Sequence, residues 1–192
     1  GESIWKSNVV EDCFAEATVS GTNNVGGLIG RNGNGTSGNY IGGTVLRCSS
    51  KSTVTCGNYG GGLIGYNYSG SILQCRSDST VSGGSIVGGL IGNSGSATIQ
   101  ECHSNSTVSG TQNIGGLIGI SGATVSDCAA LGTASSTSSN RGGLIGSCTG
   151  SVTRCFAAVD LPGNTSSRGG LIGRLTSPGT ISKCFWDKSV QT

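Results

Sequence analysis

The five residues Gly-Gly-Leu-Ile-Gly occur six times, at 26–30, 61–65, 88–92, 115–119, 142–146 and 169–173. The first interval is 35 residues and every later one is 27. A fixed period of this size marks a repeat architecture, in which each unit buries its apolar face only against its neighbours. Glycine at three of five box positions would break a helix. The box must therefore serve bends and close backbone contacts.

Seven cysteines mark the same period: Cys13, Cys48, Cys75, Cys102, Cys128, Cys155 and Cys184. Three residues before each stands Val10, Val45, Ile72, Ile99, Val125, Val152 or Ile181. Six residues after each stands Val19, Val54, Val81, Val108, Ala134, Leu161 or Val190. These are short runs rich in Val, Ile and Thr, bounded by Gly, Ser and Asn, and they read as strands. With Cys inward, position +2 is small (Ala15, Ser50, Ser77, Ser104, Ala130, Ala157) and also inward, and +1, +3, +5 and +7 face out. The apolar residue at −3 breaks strict alternation, so a bulge or bend is expected before each Cys.

A 27-residue unit of about three strands fits one turn of a coil whose strands pair with their equivalents about 4.8 Å away. The expected fold is all-β: a right-handed parallel β-solenoid of six to seven turns, with one Cys per turn in a ladder. It forms one domain, 1–192. Residues 1–12 lead in, 13–183 carry the repeats with a loop insertion near 31–43, and 184–192 close the C-terminal end. Trp5, Phe185 and Trp186 lie where end caps are needed to cover strand edges. In-register stacking juxtaposes opposite charges at Asp12/Arg47, Asp127/Arg154, Glu16/Lys51 and Lys51/Asp78, which disfavours slipped registers.

The repeated Gly-Gly-Leu-Ile-Gly, the Thr-Val-Ser-Gly before it and the terminal Cys184-Phe185-Trp186-Asp187 together resemble the GLUG-motif repeats. These occur in bacterial cell-surface proteins and in the non-catalytic region of IgA-specific metalloendopeptidases. The resemblance covers nearly the whole chain. It implies a surface-exposed repeat region, often a stalk or adhesive module, with no defined ligand and no catalytic residues to carry over.

Chemistry is sparsely signalled. Stacked cysteines have parallel Cβ directions, which suits a disulfide poorly, so a mostly reduced, inward ladder is expected. Cys56 and Cys148 stand outside it, and Cys148–Cys155 is the one plausible local bridge. No Cys-x-x-Cys is present and no metal site is expected. His103 is the only histidine and falls on an outward position. No His-Glu-x-x-His, nucleophile elbow or clustered carboxylate pair accompanies it, so the chain reads as no enzyme. The glycine box lacks the Lys-Ser/Thr of a phosphate loop, and no cofactor is expected. Asn34, Asn67, Asn105 and Asn164 match the N-glycosylation pattern, as chance allows in so Asn/Ser/Thr-rich a chain.

The net charge is +2, with its basic residues scattered, so nucleic acid is not an expected partner. No apolar run approaches the roughly 20 residues of a membrane span, and no membrane insertion is expected. Two ladders remain as candidate surfaces. One is the outward hydroxyl array Thr18/Ser20, Thr53/Thr55, Thr80/Ser82, Thr107/Ser109 and Thr133/Ser135. The other is the Leu-Ile pair of each box, which strict alternation would expose as an apolar stripe unless a glycine-bent corner turns both inward. The expected function is structural or adhesive, extracellular or at a cell surface. The partner would be a protein or glycan surface, or other copies of the chain. A self-assembling filament subunit and an ice-binding protein acting through the Thr/Ser ladder are the alternatives.

Overall fold

The computed structural model describes residues 8–36, 39–163 and 166–190, and no side chain within 35–41. The chain winds as a parallel β-solenoid. One 11-stranded sheet carries the second half of each box and the residues leading to each Cys, and a 12-stranded sheet carries the stretch from Cys to the first box glycine. The −3 column runs in unbroken register through Val10, Val45, Ile72, Ile99, Val125, Val152 and Ile181, seven rungs among the described residues. The +6 column aligns Val19, Val54, Val81, Val108 and Ala134 in the other sheet. Val190 does not extend it, because Lys188–Val190 forms a short 3-10 turn.

Two bends recur in every coil, and a further left-handed residue stands two before the box at Asn24, Tyr59, Asn113 and Asn140. The first is at the residue before each Cys: Asp12, Arg47, Gln74, Glu101, Asp127, Arg154 and Lys183 all have φ between 50 and 57°. The break in alternation is thus a left-handed corner rather than a bulge. Each thiol spans it, donating to the carbonyl two residues back, for example Cys75 Sγ to Leu73 O at 3.2 Å and Cys128 Sγ to Ser126 O at 3.0 Å.

The second bend is the box itself. Leu63 N–H and Ile64 N–H both donate to Leu90 O at 3.0 Å, and the pattern repeats when Leu90 and Ile91 donate to Leu117 O. Two successive amides converging on one carbonyl turn the chain, so both side chains point inward. Leu63, Ile64, Leu90, Ile91, Leu117, Ile118, Leu144 and Ile145 are fully buried. The Leu/Ile stripe is therefore core, and the lateral apolar contact it suggested is absent there. The bend needs backbone against backbone. A Cβ on Gly88 would lie 2.7 Å from Gly119 N, and one on Gly89 would lie 2.0 Å from Gly116 O.

The core lies between the sheets and is built from the box pairs, the −3 and +6 columns and the cysteines. Burial of this aliphatic area is the main stabilising term. Outside it, Arg47 pairs with Asp12 at 2.8 Å and with Glu11, Arg154 pairs with Asp127 at 2.6 Å, and Lys51 lies 4.0 Å from Glu16. Asp78 takes Arg76, two residues before it, at 2.7 Å instead of Lys51. Hydrogen bonds from the arginines hold the Asp12 and Asp127 carboxyls below their usual range. The sign follows: the contribution of these pairs is complete above the ordinary carboxylate pKa and is lost as acidification carries the carboxyls through their lowered values.

The excess of the first interval falls at an antiparallel pair of strands, Asn34–Thr36 with Asn39–Ile41. Its neck is held by Asn32, whose amide donates to Gly43 O at 2.9 Å and accepts from Gly43 N at 3.1 Å. Asn32 in turn donates to the buried Asn67 at 2.8 Å. At the C-terminal end Trp186 takes the inward +2 column after Ala157, with its indole against Gly170. Phe185 does not cap: it faces outward in register with Phe156 and is 69% exposed. Trp5 lies outside the described residues.

The glycine contacts are testable by comparison. Gly89→Ala should cost about 3 kcal/mol or more in chemical denaturation, because a backbone carbonyl blocks the new methyl. At Gly122 the nearest atom to a new Cβ is 3.6 Å away, so Gly122→Ala should change stability by less than about 0.5 kcal/mol. Equal effects at the two positions would refute the steric account.

Candidate functional site

The outward face of the second sheet carries the hydroxyl array in register. Thr18, Thr53, Thr80, Thr107 and Thr133 stack in one column. Ser20, Thr55, Ser82, Ser109 and Ser135 stack in the column two residues on. The first four threonines are exposed; Thr133, Ser82, Ser109 and Ser135 are half-buried. Thr55 and Ser82 hydroxyls lie 3.5 Å apart along the column. Strand geometry sets this spacing, since each residue sits one rung from its equivalent, about 4.8 Å away.

A shallow groove of about 560 Å³ runs beside the threonine column over its first three rungs. Thr18, Thr53 and Thr80 form one wall, and Glu16, Lys51 and Asp78 the other. Its origin is a strand break at positions +3 and +4, between Phe14–Ala15 and Thr18–Gly26, Ser49–Ser50 and Thr53–Gly61, and Arg76–Ser77 and Thr80–Gly83. At Ser52 and Ser79 of these breaks, and at Ser106 in the unbroken strand His103–Gly115, the +4 side chain is buried, on the inward side that alternation from Cys gives it. Ser50 donates to Ser52 at 2.9 Å, Ser77 to Ser79 at 3.0 Å and Ser104 to Ser106 at 3.0 Å. Each +4 hydroxyl also accepts a backbone N–H from the preceding rung: Ser52 N to Ser79 Oγ and Ser79 N to Ser106 Oγ, both 3.1 Å. Hydroxyls thus stand in for ladder carbonyls there, so that the Ser52 and Ser79 N–H groups keep partners. The signal was present as Ser52, Ser79 and Ser106 at one repeat position.

All nine cysteines are free thiols, so the Cys148–Cys155 bridge does not form. Cys148 stands in the box sheet in register with Ser121 and Leu175. Its thiol donates toward Gly150 O, whereas Cys155, past the next corner, donates to Thr153 O. The seven ladder cysteines stack as expected: Cys48, Cys75, Cys102, Cys128 and Cys155 are buried, and Cys13 and Cys184 at the ends are half-exposed. Contact with the Cys128 thiol, then burial, raises Cys102 and Cys155 well above the ordinary thiol range, and Cys128 shifts down by the same two contacts. Between its two half-exposed ends the stack is buried. Burial alone raises Cys148, and Cys56 likewise. Cys56 fits because its column neighbours are Gly21 and Gly83.

His103 is exposed in register with Arg76 and Ala129. Among the described residues no cluster of His, Cys, Asp or Glu is arranged to hold a metal ion, and no helix is long and apolar enough to cross a membrane. Two further features escaped the repeat pattern because each interrupts it. Arg141 occupies the inward column of Val87 and Ile114 and is fully buried. Its guanidinium donates to Pro162 O and, at 2.6 Å, to Gly163 O, tying down the segment after Leu161. Tyr59, Tyr66 and Tyr68 gather beside the hairpin insertion. No family model, curated protein or solved structure matches the chain.

The thiol assignments carry a direct test. In native protein, a maleimide should label Cys13 and Cys184 first, with the other seven reacting only in denaturant. Mass mapping of fast native labelling at Cys102 or Cys128, or of an oxidised Cys148–Cys155 pair, would contradict the closed, reduced stack.

Proposed function

We propose that this chain is a non-catalytic structural or adhesive repeat module, acting outside the cell or at a cell surface. The observation that carries this reading is the pair of outward hydroxyl columns held in register over five rungs of a rigid coil. Each hydroxyl is fixed by strand pairing, so contact with a repetitive surface requires little ordering of side chains. Thr and Ser donate and accept alike, which suits a glycan or a polar protein surface. The resemblance to GLUG-motif repeats supports the same reading, and the groove beside Thr18, Thr53 and Thr80 supplies charged groups at one edge of the face.

A second reading, ice binding, draws on the same columns, because hydroxyls at a regular spacing can order water. Exposed Ser20 and the half-buried serines of the second column make that face less uniform than the threonine column beside it.

Replacing both Thr80 and Thr107 by Tyr should leave the fold intact, since both side chains are exposed and Tyr is a good strand residue. The double variant should lose about tenfold or more in affinity for whichever immobilised polysaccharide or cell surface retains the parent. Retention unchanged by the double substitution would remove the hydroxyl face as the contact. Thermal hysteresis in the parent, abolished by the same pair of substitutions, would select the ice-binding reading. Light scattering across a concentration range should show a constant mass; growth into fibres would instead favour a filament subunit.

A further inference from the structure

Three of the chain's four tyrosines form one cluster, Tyr66 and Tyr68 on the 11-stranded sheet and Tyr59 near the end of the strand Thr53–Gly61 of the other sheet. Tyr66 and Tyr68 alternate outward on the strand Ile64–Leu73, with Asn67 buried between them. Tyr59 stands edge-on to Tyr66, with ring centroids 5.4 Å apart and planes at 89°. Tyr66 and Tyr68 are 5.6 Å apart and tilted by 41°. The Arg31 guanidinium lies 5.6 Å from the centre of the Tyr68 ring. Arg31 belongs to the preceding rung, in register with Tyr66. Edge-to-face and cation–π contacts of this kind fix ring orientation. The cluster is therefore organised before any ligand arrives.

The following rung is bare. Tyr66 pairs with Asn93, Asn67 with Ser94 and Ser69 with Ser96, which sets Gly95 beside Tyr68. A side chain could not stand there, since a Cβ on Gly95 would lie 2.4 Å from Tyr68 O. The drop from aromatic rung to glycine rung leaves a pocket of about 210 Å³, lined by Tyr66, Tyr68, Gly95 and Ser96. No carboxylate, amine or guanidinium lines it among the described residues. Its walls are aromatic and its rim carries neutral hydroxyls, with Ser96 exposed.

We infer that this tyrosine shelf is a binding site for a neutral pyranose unit of a glycan. A pyranose ring has a C–H face that packs on an aromatic ring and equatorial hydroxyls that meet neutral donors and acceptors at its edge. The shelf offers both, at a size suited to one ring. Its open flank, on the side of a rod, lets a longer chain continue in either direction. A charged ligand would meet no ion-pairing partner in the pocket, and an apolar ligand would leave the Ser96 side unmatched. The inference rests on the adhesive half of the proposed function and names a ligand class for it, at a site separate from the hydroxyl face.

The test is affinity measurement on the full chain against neutral tetrasaccharides of glucose, xylose and N-acetylglucosamine, with polygalacturonate as the acidic comparison. At least one neutral glycan should bind. Tyr68→Ala should weaken it about tenfold, as expected for loss of one aromatic contact. Tyr68→Phe should stay within about threefold, and Ser96→Tyr, which fills the pocket, should abolish binding. Circular dichroism and thermal melting of each variant establish that it is folded. Binding that survives Tyr68→Ala but disappears in the Thr80/Thr107 double variant would overturn the shelf while leaving the adhesive reading standing. Preference for polygalacturonate would overturn the neutral-sugar assignment. No binding to any glycan of the panel would overturn the shelf outright.

Discussion

The coil depends on one contact: the backbone of the first box glycine pressed against the backbone of the last box glycine of the next turn. A Cβ on Gly61 would meet Gly92 N at 2.8 Å, on Gly115 it would meet Gly146 N at 2.8 Å, and on Gly142 Gly173 N at 2.7 Å. This approach fixes the path of each turn, and the rest follows. The interior takes Val, Ile, Leu and Cys in fixed columns, with Arg141 as the large exception. Outward positions carry no such constraint and are free to vary. The strict box and the loose remainder of each repeat are two sides of the same constraint.

Corner chemistry follows. A left-handed residue before each Cys is uncommon for side chains other than Gly, Asn or Asp. Here the position takes Arg, Gln, Glu and Lys as well as Asp, because the side chain points to solvent and finds a neighbour of the adjacent rung, as Arg154 finds Asp127 and Gln74 finds Glu101 at 2.9 Å. The cysteine that follows is small enough for the corner and still carries a weak donor for the carbonyl behind it. A valine would fill the space without that bond. This gives the ladder a structural reason that requires neither metal nor disulfide.

The columns were legible in the sequence because period and alternation are both simple: −3, Cys, +2 and +6 fall inside through the interior rungs as expected, while at the last rung Ile181 is exposed and Val190 leaves its column. What was not legible involves departures from alternation and bonds between rungs. Whether Leu63 or Ile64 faced out had no answer in a strand pattern, since the box is a bend where two amides share one carbonyl. Ser79 keeps the inward parity, and what the sequence did not show is the hydroxyl bonding to neighbouring rungs that supports its burial. Phe185 resembled a cap by its position near the end of the chain, yet parity from Cys184 puts it on the outward face and Trp186, itself 55% exposed, on the inward one. At the candidate sites, the hydroxyl columns could be read directly, whereas the tyrosine cluster could not. Tyr59, Tyr66 and Tyr68 have no common repeat position, and only the folding back of the box brings the first to the second.

Asn32 gives the hairpin insertion a different standing from the rest of the coil. Its single amide grips both backbone groups of Gly43, so the two ends of the excursion are joined where they leave the rung. The excursion leaves and rejoins the coil at that neck, and its two strands lie against Ile64–Leu73 of the next turn. The coil thus has a built-in port at which length and sequence can change while the register of every later turn is preserved. In evolutionary terms it is the place where a rod of nearly identical turns can acquire individuality. In engineering terms it is the position at which a foreign loop could be carried on an unaltered scaffold.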